Sequence, residues 1–280
     1  MKFTKAHGLG NDFILIEAGA APSVVEAWAR RLCDRHLGIG GDGVLLFAPE
    51  AGGLRMQLIN ADGSDGEISG NGVRCLAAYG VRQGLVPLRH TVFTAPGPRP
   101  VEVSALAGSR YRVKTDLGPP LLASVEVPVS VSPPRRPVLD EPVRAAGREL
   151  SITATSLGNP HCAVFLEVEP DDAYVAEVGA ALEQHPLFPR RTNVEFVAVR
   201  GRGEIRVRFW ERGVGPTRAS GTGSASAAVA AILKGLVERE LRVVCDGGVL
   251  EVAWPDGGHV EQHGEVEILF QGSWAAAPVS

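Results

Sequence analysis

Two loops of this chain share a pattern that suits anion binding: Ser-Gly-x-Gly followed by small and apolar residues. The first begins at Ser69 and the second at Ser220. At the start of a helix, such a loop exposes backbone N–H groups and the positive end of the helix dipole. Each loop also places a hydroxyl beside those N–H groups. Two of them could hold one anionic group from both sides, which predicts a symmetric active site.

The spacing of these loops recurs elsewhere in the chain. They lie 151 residues apart (220 − 69), and several other segments match at nearly that offset. Several matches in one register indicate that the chain is an internal duplication. The matched pairs are Leu9–Phe13 with Leu157–His161, His36 with His185, Asp42-Gly43-Val44 with Asn193-Val194-Glu195, and Asn60 with Glu211.

Each half combines short β segments with two helices. Ser23 and Glu26 form the pattern of a capping box ahead of an apolar helical face, and Asp171 and Asp172 open the corresponding helix of the second half. Val- and Ile-rich runs bounded by Gly, Pro or Asp predict the strands. They are Ile14–Ile16, Val44–Phe47, Arg55–Ile59, Val101–Val103, Tyr111–Lys114, Ala163–Leu166, Val194–Val199, Glu204–Phe209, Leu241–Val244 and Val249–Val252.

The boundary between the halves is expected near the start of a proline-rich stretch, Gly118–Val143. We predict an N-terminal half over residues 1–118, completed by the C-terminal strand near 267–280, and a C-terminal half over 119–266. The fold class is α+β, with two pseudo-symmetric α/β halves and the active site in the cleft between them.

Composition excludes several classes of protein. The chain has 280 residues, 45% hydrophobic and 21% charged, which is typical of a globular protein. A net charge of −4 without a basic cluster argues against a nucleic-acid partner, and no apolar run is long enough for a membrane span. The N-terminal residues lack the apolar stretch of a secretory signal, so we expect a cytoplasmic protein. Four cysteines without paired spacing predict buried thiols, and the scattered histidines predict no metal site.

In six motifs spread along its length, the chain resembles the diaminopimelate epimerase family. The motifs that carry the resemblance are HGLGNDF (7–13), DRHLGIGGDG (34–43), NADGS…SGNGVRC (60–75), GNPHC (158–162), RRTNVEF (190–196) and ERGVGPTRASGTGS (211–224). The resemblance implies two halves that each wrap a β-barrel-like sheet around a central helix. It implies epimerisation of LL-2,6-diaminopimelate to the meso form, in lysine and peptidoglycan precursor synthesis, without pyridoxal phosphate or another cofactor. It also implies that a homodimer can form.

Inversion of a stereocentre by proton transfer explains why such a site would be symmetric. One group removes the α-proton from one face, and a second delivers a proton to the opposite face. Without a cofactor, the substrate carboxylate must absorb the negative charge, and helix N-termini stabilise it. The backbones at Gly70, Asn71, Gly221 and Thr222 stand at the matching positions.

The resemblance assigns further residues to the site. Arg212 would pair with the distal carboxylate through its guanidinium fork. His161 and Glu211 match the pair that tunes the catalytic residues, and Glu211 also matches a substrate-binding position. The other positions that match the family's substrate-holding residues are Asn11, Asn60, Asn159 and Asn193.

The chain departs from the family pattern at both catalytic positions, where serines replace cysteines. Free cysteine has a pKa of about 8.5, lowered at a helix N-terminus, whereas a serine hydroxyl is far less acidic and needs an adjacent base. Ser69 and Ser220 would therefore move protons poorly unless His161, Glu211 or another group does the basic work.

Two further departures, Gly43 and Pro216, favour natural divergence over an engineered double replacement. Three functional interpretations stay open: the epimerase itself; another isomerase, racemase or dehydratase of the same fold; and a catalytically impaired protein that binds diaminopimelate.

Overall fold

The computed structural model describes residues 1–66, 68–256 and 258–275. By its internal contacts the chain divides into two units. Unit 1 comprises Met1–Asp116 together with the segment from His263, and unit 2 comprises Leu117–Gln262.

Unit 1 is a β-barrel around a helix. Eight strands close in the order β1, β2, β3, β4, β6, β7, β8 and β17, with β17 pairing back onto β1. The β2–β3 and β4–β6 pairs are parallel, and the β1–β17, β1–β2, β3–β4, β6–β7 and β7–β8 pairs are antiparallel. The elements are β1 (Lys2–Gly8), β2 (Asn11–Glu17), α1 (Val25–Cys33), β3 (Gly43–Glu50), β4 (Gly53–Asn60), β5 (Asp65–Gly66), α2 (Gly70–Arg82), β6 (Arg89–Thr94), β7 (Gly97–Ala105), β8 (Arg110–Asp116) and β17 (Glu261–Ser273).

Unit 2 repeats this plan in its sheet and helices. Its strands pair in the order β9, β10, β11, β12, β13, β15 and β16, again with two parallel pairs, β11–β12 and β13–β15. The elements are β9 (Val138–Ala145), β10 (Arg148–Ser156), β11 (Pro160–Phe165), α3 (Asp172–Glu183), β12 (Asn193–Gly201), β13 (Glu204–Glu211), β14 (Gly215–Thr217), α4 (Gly221–Leu233), β15 (Glu240–Cys245) and β16 (Gly248–Ala253). The predicted fold class of two homologous α/β halves is confirmed.

The central helices owe their position to their composition. In α4, the sequence GTGSASAAVAAIL is small and apolar on every side, and residues 221–231 are all buried. A helix without a polar face is stable only when it is surrounded, and small side chains let the strands approach closely. In α2, residues 70–78 are buried in the same way. The helices α1 and α3 instead pack one apolar stripe against the outside of their sheets.

Two details of the predicted pattern are wrong. The helix α1 begins at Val25 with Val24 as its N-cap, because Val24 keeps extended backbone angles (φ −105°, ψ 93°). Ser23 therefore lies too early to cap the helix, and no side chain does so. The capping prediction for α3 is confirmed, since Asp171 accepts a hydrogen bond from the Tyr174 N–H.

The register of β12 also differs from the predicted match. The strand pairing makes Gly43, not Asp42, the counterpart of Asn193, because each begins a strand at the same point of a parallel pair. An irregularity in β12 between Val199 and Gly201 adds the extra residue that restores the 151-residue offset further along. Glu195 is consequently the counterpart of Leu45.

Candidate active site

The start of α2 is capped by a serine of the predicted site. Ser69 has extended backbone angles, and its Oγ accepts a hydrogen bond from the Gly72 N–H at 3.1 Å. The first N–H groups of a helix have no acceptor within it, and the cap uses only one of them. The amides of Gly70 and Asn71 thus have no acceptor inside the helix and can face a ligand.

The start of α4 has the same geometry. Ser220 Oγ accepts a hydrogen bond from the Gly223 N–H at 3.2 Å, and the backbone angles of the two serines agree within 10°. Both serines therefore use one lone pair as helix caps, and each keeps its own proton to donate.

The proton of Ser220 has an acceptor at the end of β13. The Ser220 hydroxyl lies close enough to Glu211 to lower the pKa of that carboxyl. Burial raises the pKa of the Glu211 carboxyl, while Ser220 and the nearby His161 lower it. A carboxyl with a raised pKa that contacts a hydroxyl can accept a proton through it.

His161 lies next to this pair between two oxygen atoms. Its Nδ1 is 2.7 Å from Glu195 Oε1, and its Nε2 is 2.9 Å from Asn159 Oδ1. The side chains of His161 and Glu195 are each only 1% exposed. Burial raises the pKa of Glu195, and the charge of His161 lowers it. Of the predicted site residues, the fold of unit 2 thus brings Asn159, His161, Glu211 and Ser220 to one helix start.

Unit 1 lacks this chemistry at the equivalent positions. Phe13 takes the place of His161 in the strand register, and Leu45 takes the place of Glu195. Both are buried in the apolar core. Asn60 ends β4 where Glu211 ends β13. The duplication has kept the two capped helices alike but has placed the titratable side chains in unit 2.

Amide side chains surround the start of α2. Asn71 donates through Nδ2 to Asn11 Oδ1 at 3.1 Å, and Asn11 donates through Nδ2 to Asp42 Oδ2 at 2.8 Å. Asn71 also accepts a hydrogen bond from the buried Arg74. The fold therefore brings Asn11 and Asn71 together, and both are held in a fixed orientation.

A network of ion pairs holds Asp42, the hydrogen-bond acceptor of Asn11, in place. Asp12 is 2.6 Å from Lys5 Nζ and 2.7 Å from Arg35 Nη2, and Arg35 also contacts Asp42 at 2.8 Å. Burial raises the pKa of Asp12, but the hydrogen bonds from Arg35 and Lys5 outweigh it and lower the pKa to about 2. These ion pairs fix the loop before β3 against the β1–β2 hairpin.

Three other predicted residues are arranged differently. Asn60 donates to Ser64 Oγ at 3.0 Å. Asn193 is buried, and its side-chain amide makes two hydrogen bonds with backbone groups. Its Nδ2 donates to the Pro160 carbonyl at 2.9 Å, and its Oδ1 accepts from the Arg212 N–H at 3.0 Å. Asn193 thereby fixes the backbone of Arg212. Direct binding of substrate by Asn60, Asn193 and Arg212 stays a prediction.

Gly43 and Pro216, the two further departures from the family pattern, fit their surroundings. A Cβ at Gly43 would lie 2.9 Å from the Ile59 carbonyl oxygen, so the adjacent strand leaves no room for a side chain. Pro216 lies in the three-residue strand β14, paired with Trp210. Such a short outer strand tolerates the missing N–H of proline.

The cysteines do not belong to the chemistry. Cys33, Cys75, Cys162 and Cys245 are all free and buried, as predicted. Burial raises the pKa of Cys75 to about 12 and that of Cys162 well above its usual range. Over residues 1–66, 68–256 and 258–275, no three His, Cys, Asp or Glu side chains come together in a way that could hold a metal ion. No helix in that same part of the chain is long and apolar enough to cross a membrane.

Two residues with polar roles here were not identified from the sequence. Asp42 belongs to a repeat and to the motif at 34–43, but neither assigns it a polar role, although it follows two glycines and precedes an apolar strand. Glu195 had a clearer signal, because it is the only charged residue in the apolar run Val194–Val199. A carboxylate in a strand that is buried on both sides requires a partner.

Comparison with known proteins agrees with the resemblance seen in the motifs. The family model described as diaminopimelate epimerase matches residues 3–122 and 153–269. A protein named diaminopimelate epimerase from Desulforudis audaxviator is 46% identical over 99% of this chain and 100% of its own length. The protein of the same name from Pelotomaculum thermopropionicum is 42% identical over 98% of this chain and 99% of its own.

Among solved structures, a probable proline racemase from Agrobacterium radiobacter superposes with a TM-score of 0.71 at 14% identity, covering 99% of this chain and 94% of the other. A predicted epimerase from Pseudomonas aeruginosa gives 0.69 at 16% identity, covering 99% of both chains. These two likenesses show the fold. The family model and the relatives that match along almost the whole chain show more: this chain belongs to the diaminopimelate epimerase family.

Proposed function

We propose that this protein epimerises LL-2,6-diaminopimelate to the meso form by proton transfer without a cofactor. The observation that carries the proposal is the pair of equivalent helix starts, each with a serine cap and two amides that have no acceptor within the helix. Membership of the family, and relatives that bear this name at up to 46% identity, support the substrate.

The helix starts supply the electrostatic part of the mechanism. When the α-proton leaves, the electron pair of the C–H bond moves into the substrate carboxylate. At each helix start, the amides without an acceptor, Gly70 and Asn71 on α2 or Gly221 and Thr222 on α4, can donate to a carboxylate, and the helix dipole stabilises its added charge. These groups are held by buried helices, so little reorganisation is needed during the reaction.

The proton transfer itself cannot rest on serine alone. On one face of the substrate, Ser220 would accept the α-proton as it passes its own proton to Glu211. On the other face, Ser69 would give its proton to the α-carbon and regain one from solvent. Glu211 then releases its proton to solvent, so that one C–H bond breaks, one forms, and Ser69, Ser220 and Glu211 all return to their starting states. Glu211 is assigned as the base because it lies beside Ser220 and because burial raises the pKa of its carboxyl.

A second candidate function has one observation in its favour. The imidazole and the carboxylates lie beside Ser220, whereas the equivalent positions of unit 1 are Phe13, Leu45 and Asn60. This asymmetry suits an isomerase of the same fold that uses proton chemistry on one face only.

Deuterium exchange separates these alternatives. The purified protein is incubated with LL-diaminopimelate in D₂O, and NMR follows deuterium at the α-carbon together with its configuration. Exchange with inversion supports the epimerase. Exchange with retention supports the one-sided chemistry. Tight binding by calorimetry without exchange would refute both and leave a diaminopimelate-binding protein.

The proposal includes a compartment and an assembly state. Four free buried thiols are consistent with a reducing compartment, so we propose the cytoplasm. A homodimer, implied by the family, is tested by light scattering of the purified protein.

A further inference from the structure

We infer that Glu195 is a positioning residue of this reaction, which acts through its contact with His161. The inference rests on the proposed function and deepens it, because it names a residue that the motifs did not assign. Glu195 is the third residue of β12, and β12 pairs directly with the strand that carries His161.

First, burying the Glu195 carboxylate lowers the stability of the fold unless the carboxylate is paired. Leu45 at the same position of unit 1 shows what a purely structural residue looks like there. The fold therefore does not require a carboxylate in that strand. Its presence in unit 2 alone coincides with the presence of His161 in unit 2 alone.

The second argument is geometry. Glu195 Oε1 accepts from His161 Nδ1 at 2.7 Å, and Nε2 faces Asn159 Oδ1 at 2.9 Å. Both ring nitrogens face oxygen atoms, so the imidazole is held from two sides. Glu195 thus fixes the orientation of the ring and the proton on Nδ1, as a carboxylate does for histidine in other acid–base sites.

The third argument is the distance to the helix start. A Cβ on Gly223 would lie 2.9 Å from Ser220 Oγ and 3.0 Å from Glu195 Oε1. The serine and the carboxylate therefore approach the same point of α4, which only glycine leaves open. Glu195, His161, Glu211 and Ser220 form one interacting group.

The test compares Glu195→Gln with a matched control, Glu141→Gln. The control removes another ion-paired carboxylate of unit 2, which contacts Arg135 and none of Asn159, His161, Glu211 and Ser220. For E195Q we expect kcat to fall about 100-fold, the lower end of what acid–base groups contribute, with KM near the wild-type value. E141Q should keep wild-type kcat and KM.

Two further readouts separate positioning from a general loss of structure. The proton NMR spectrum of the wild type should contain a slowly exchanging imidazole N–H resonance, assigned by its loss in His161→Gln, and E195Q should shift or lose it. In the H161Q background, adding E195Q should cost nothing more, because Glu195 acts through His161. If E195Q does not fold, Glu195→Asp keeps the charge with a shorter reach and should lower kcat and shift the same resonance.

The outcomes are distinguishable. A wild type without exchange overturns the proposed function and this role with it. A wild type that exchanges, together with E195Q at wild-type kcat or with independent effects of E195Q and H161Q, overturns the role of Glu195 alone.

Discussion

Replacing Gly223 with alanine should damage the site more than the same change at Gly72. The two glycines occupy the third position of equivalent helices. At Gly223, the new Cβ would lie 2.9 Å from Ser220 Oγ and 3.0 Å from Glu195 Oε1. At Gly72, the nearest atoms would be the end of the Leu45 side chain at 3.1 Å and Ser69 Cβ at 3.3 Å, so both contacts are looser than those at Gly223.

The magnitudes follow from these contacts. Alanine is favoured over glycine in a helix by up to about 1 kcal/mol, while overpacking in a tight interior costs about 1–3 kcal/mol. G72A should therefore leave the free energy of unfolding nearly unchanged, and G223A should lower it by about 1 kcal/mol. Displacing Ser220 and Glu195 by about half an ångström should reduce turnover at least about 10-fold, since a 1 Å misplacement costs up to about 100-fold.

Urea unfolding and the deuterium-exchange assay measure the two effects on the same preparations. The reasoning is refuted if G223A keeps wild-type turnover and stability. It is also refuted if G72A loses as much activity as G223A, because then the contacts with Ser220 and Glu195 would not be the cause.

Two further predictions concern the ion-paired Asp12 and the two serines that would transfer protons. The pKa of Asp12, lowered to about 2 by Arg35 and Lys5 despite burial, contributes about 2 kcal/mol of stability above pH 4 that is lost as the pH falls toward 2. Urea unfolding at several pH values should therefore show D12N destabilised at pH 7 but not at pH 2; equal destabilisation at both would contradict the ion pairs as the cause. The double variant S69C/S220C should raise the rate of deuterium exchange strongly, because a thiol at a helix N-terminus ionises near neutrality, and an unchanged rate would mean that the serines do not limit proton transfer.

Residue patterns predicted the duplicated architecture well because its signals are local. A buried strand such as Val44–Phe47 and a capped helix such as the one opened by Asp171 follow from propensity and polarity within a few residues. The prediction did not include β1, β6, β9 and β10 or the short strands β5 and β14. In β1 the buried Lys5 interrupts the apolar pattern, and in β10 the only apolar positions between Ser151 and Thr155 are Ile152 and Ala154.

Site residues were harder to predict when their partners are distant in sequence. Ser69 and Ser220 are recognisable because a helix cap needs only the next few residues. The pairing of His161 with Glu195 depends on two parallel strands separated by a whole helix, and Asn193 looks like a turn residue until its contacts with Pro160 and Arg212 are seen. Such pairings are set by the fold and leave no fixed spacing.

The closing strand of unit 1 has a consequence for how the protein is made. β17 completes the barrel of unit 1 by pairing with β1 and β8, yet it follows all of unit 2 along the chain. During synthesis, at about 5–20 residues per second, unit 2 emerges whole while unit 1 still has an open edge. The second unit can thus fold first, and the N-terminal unit must wait with β1 and β8 unpaired on one side, which makes this interval its period of greatest exposure to aggregation.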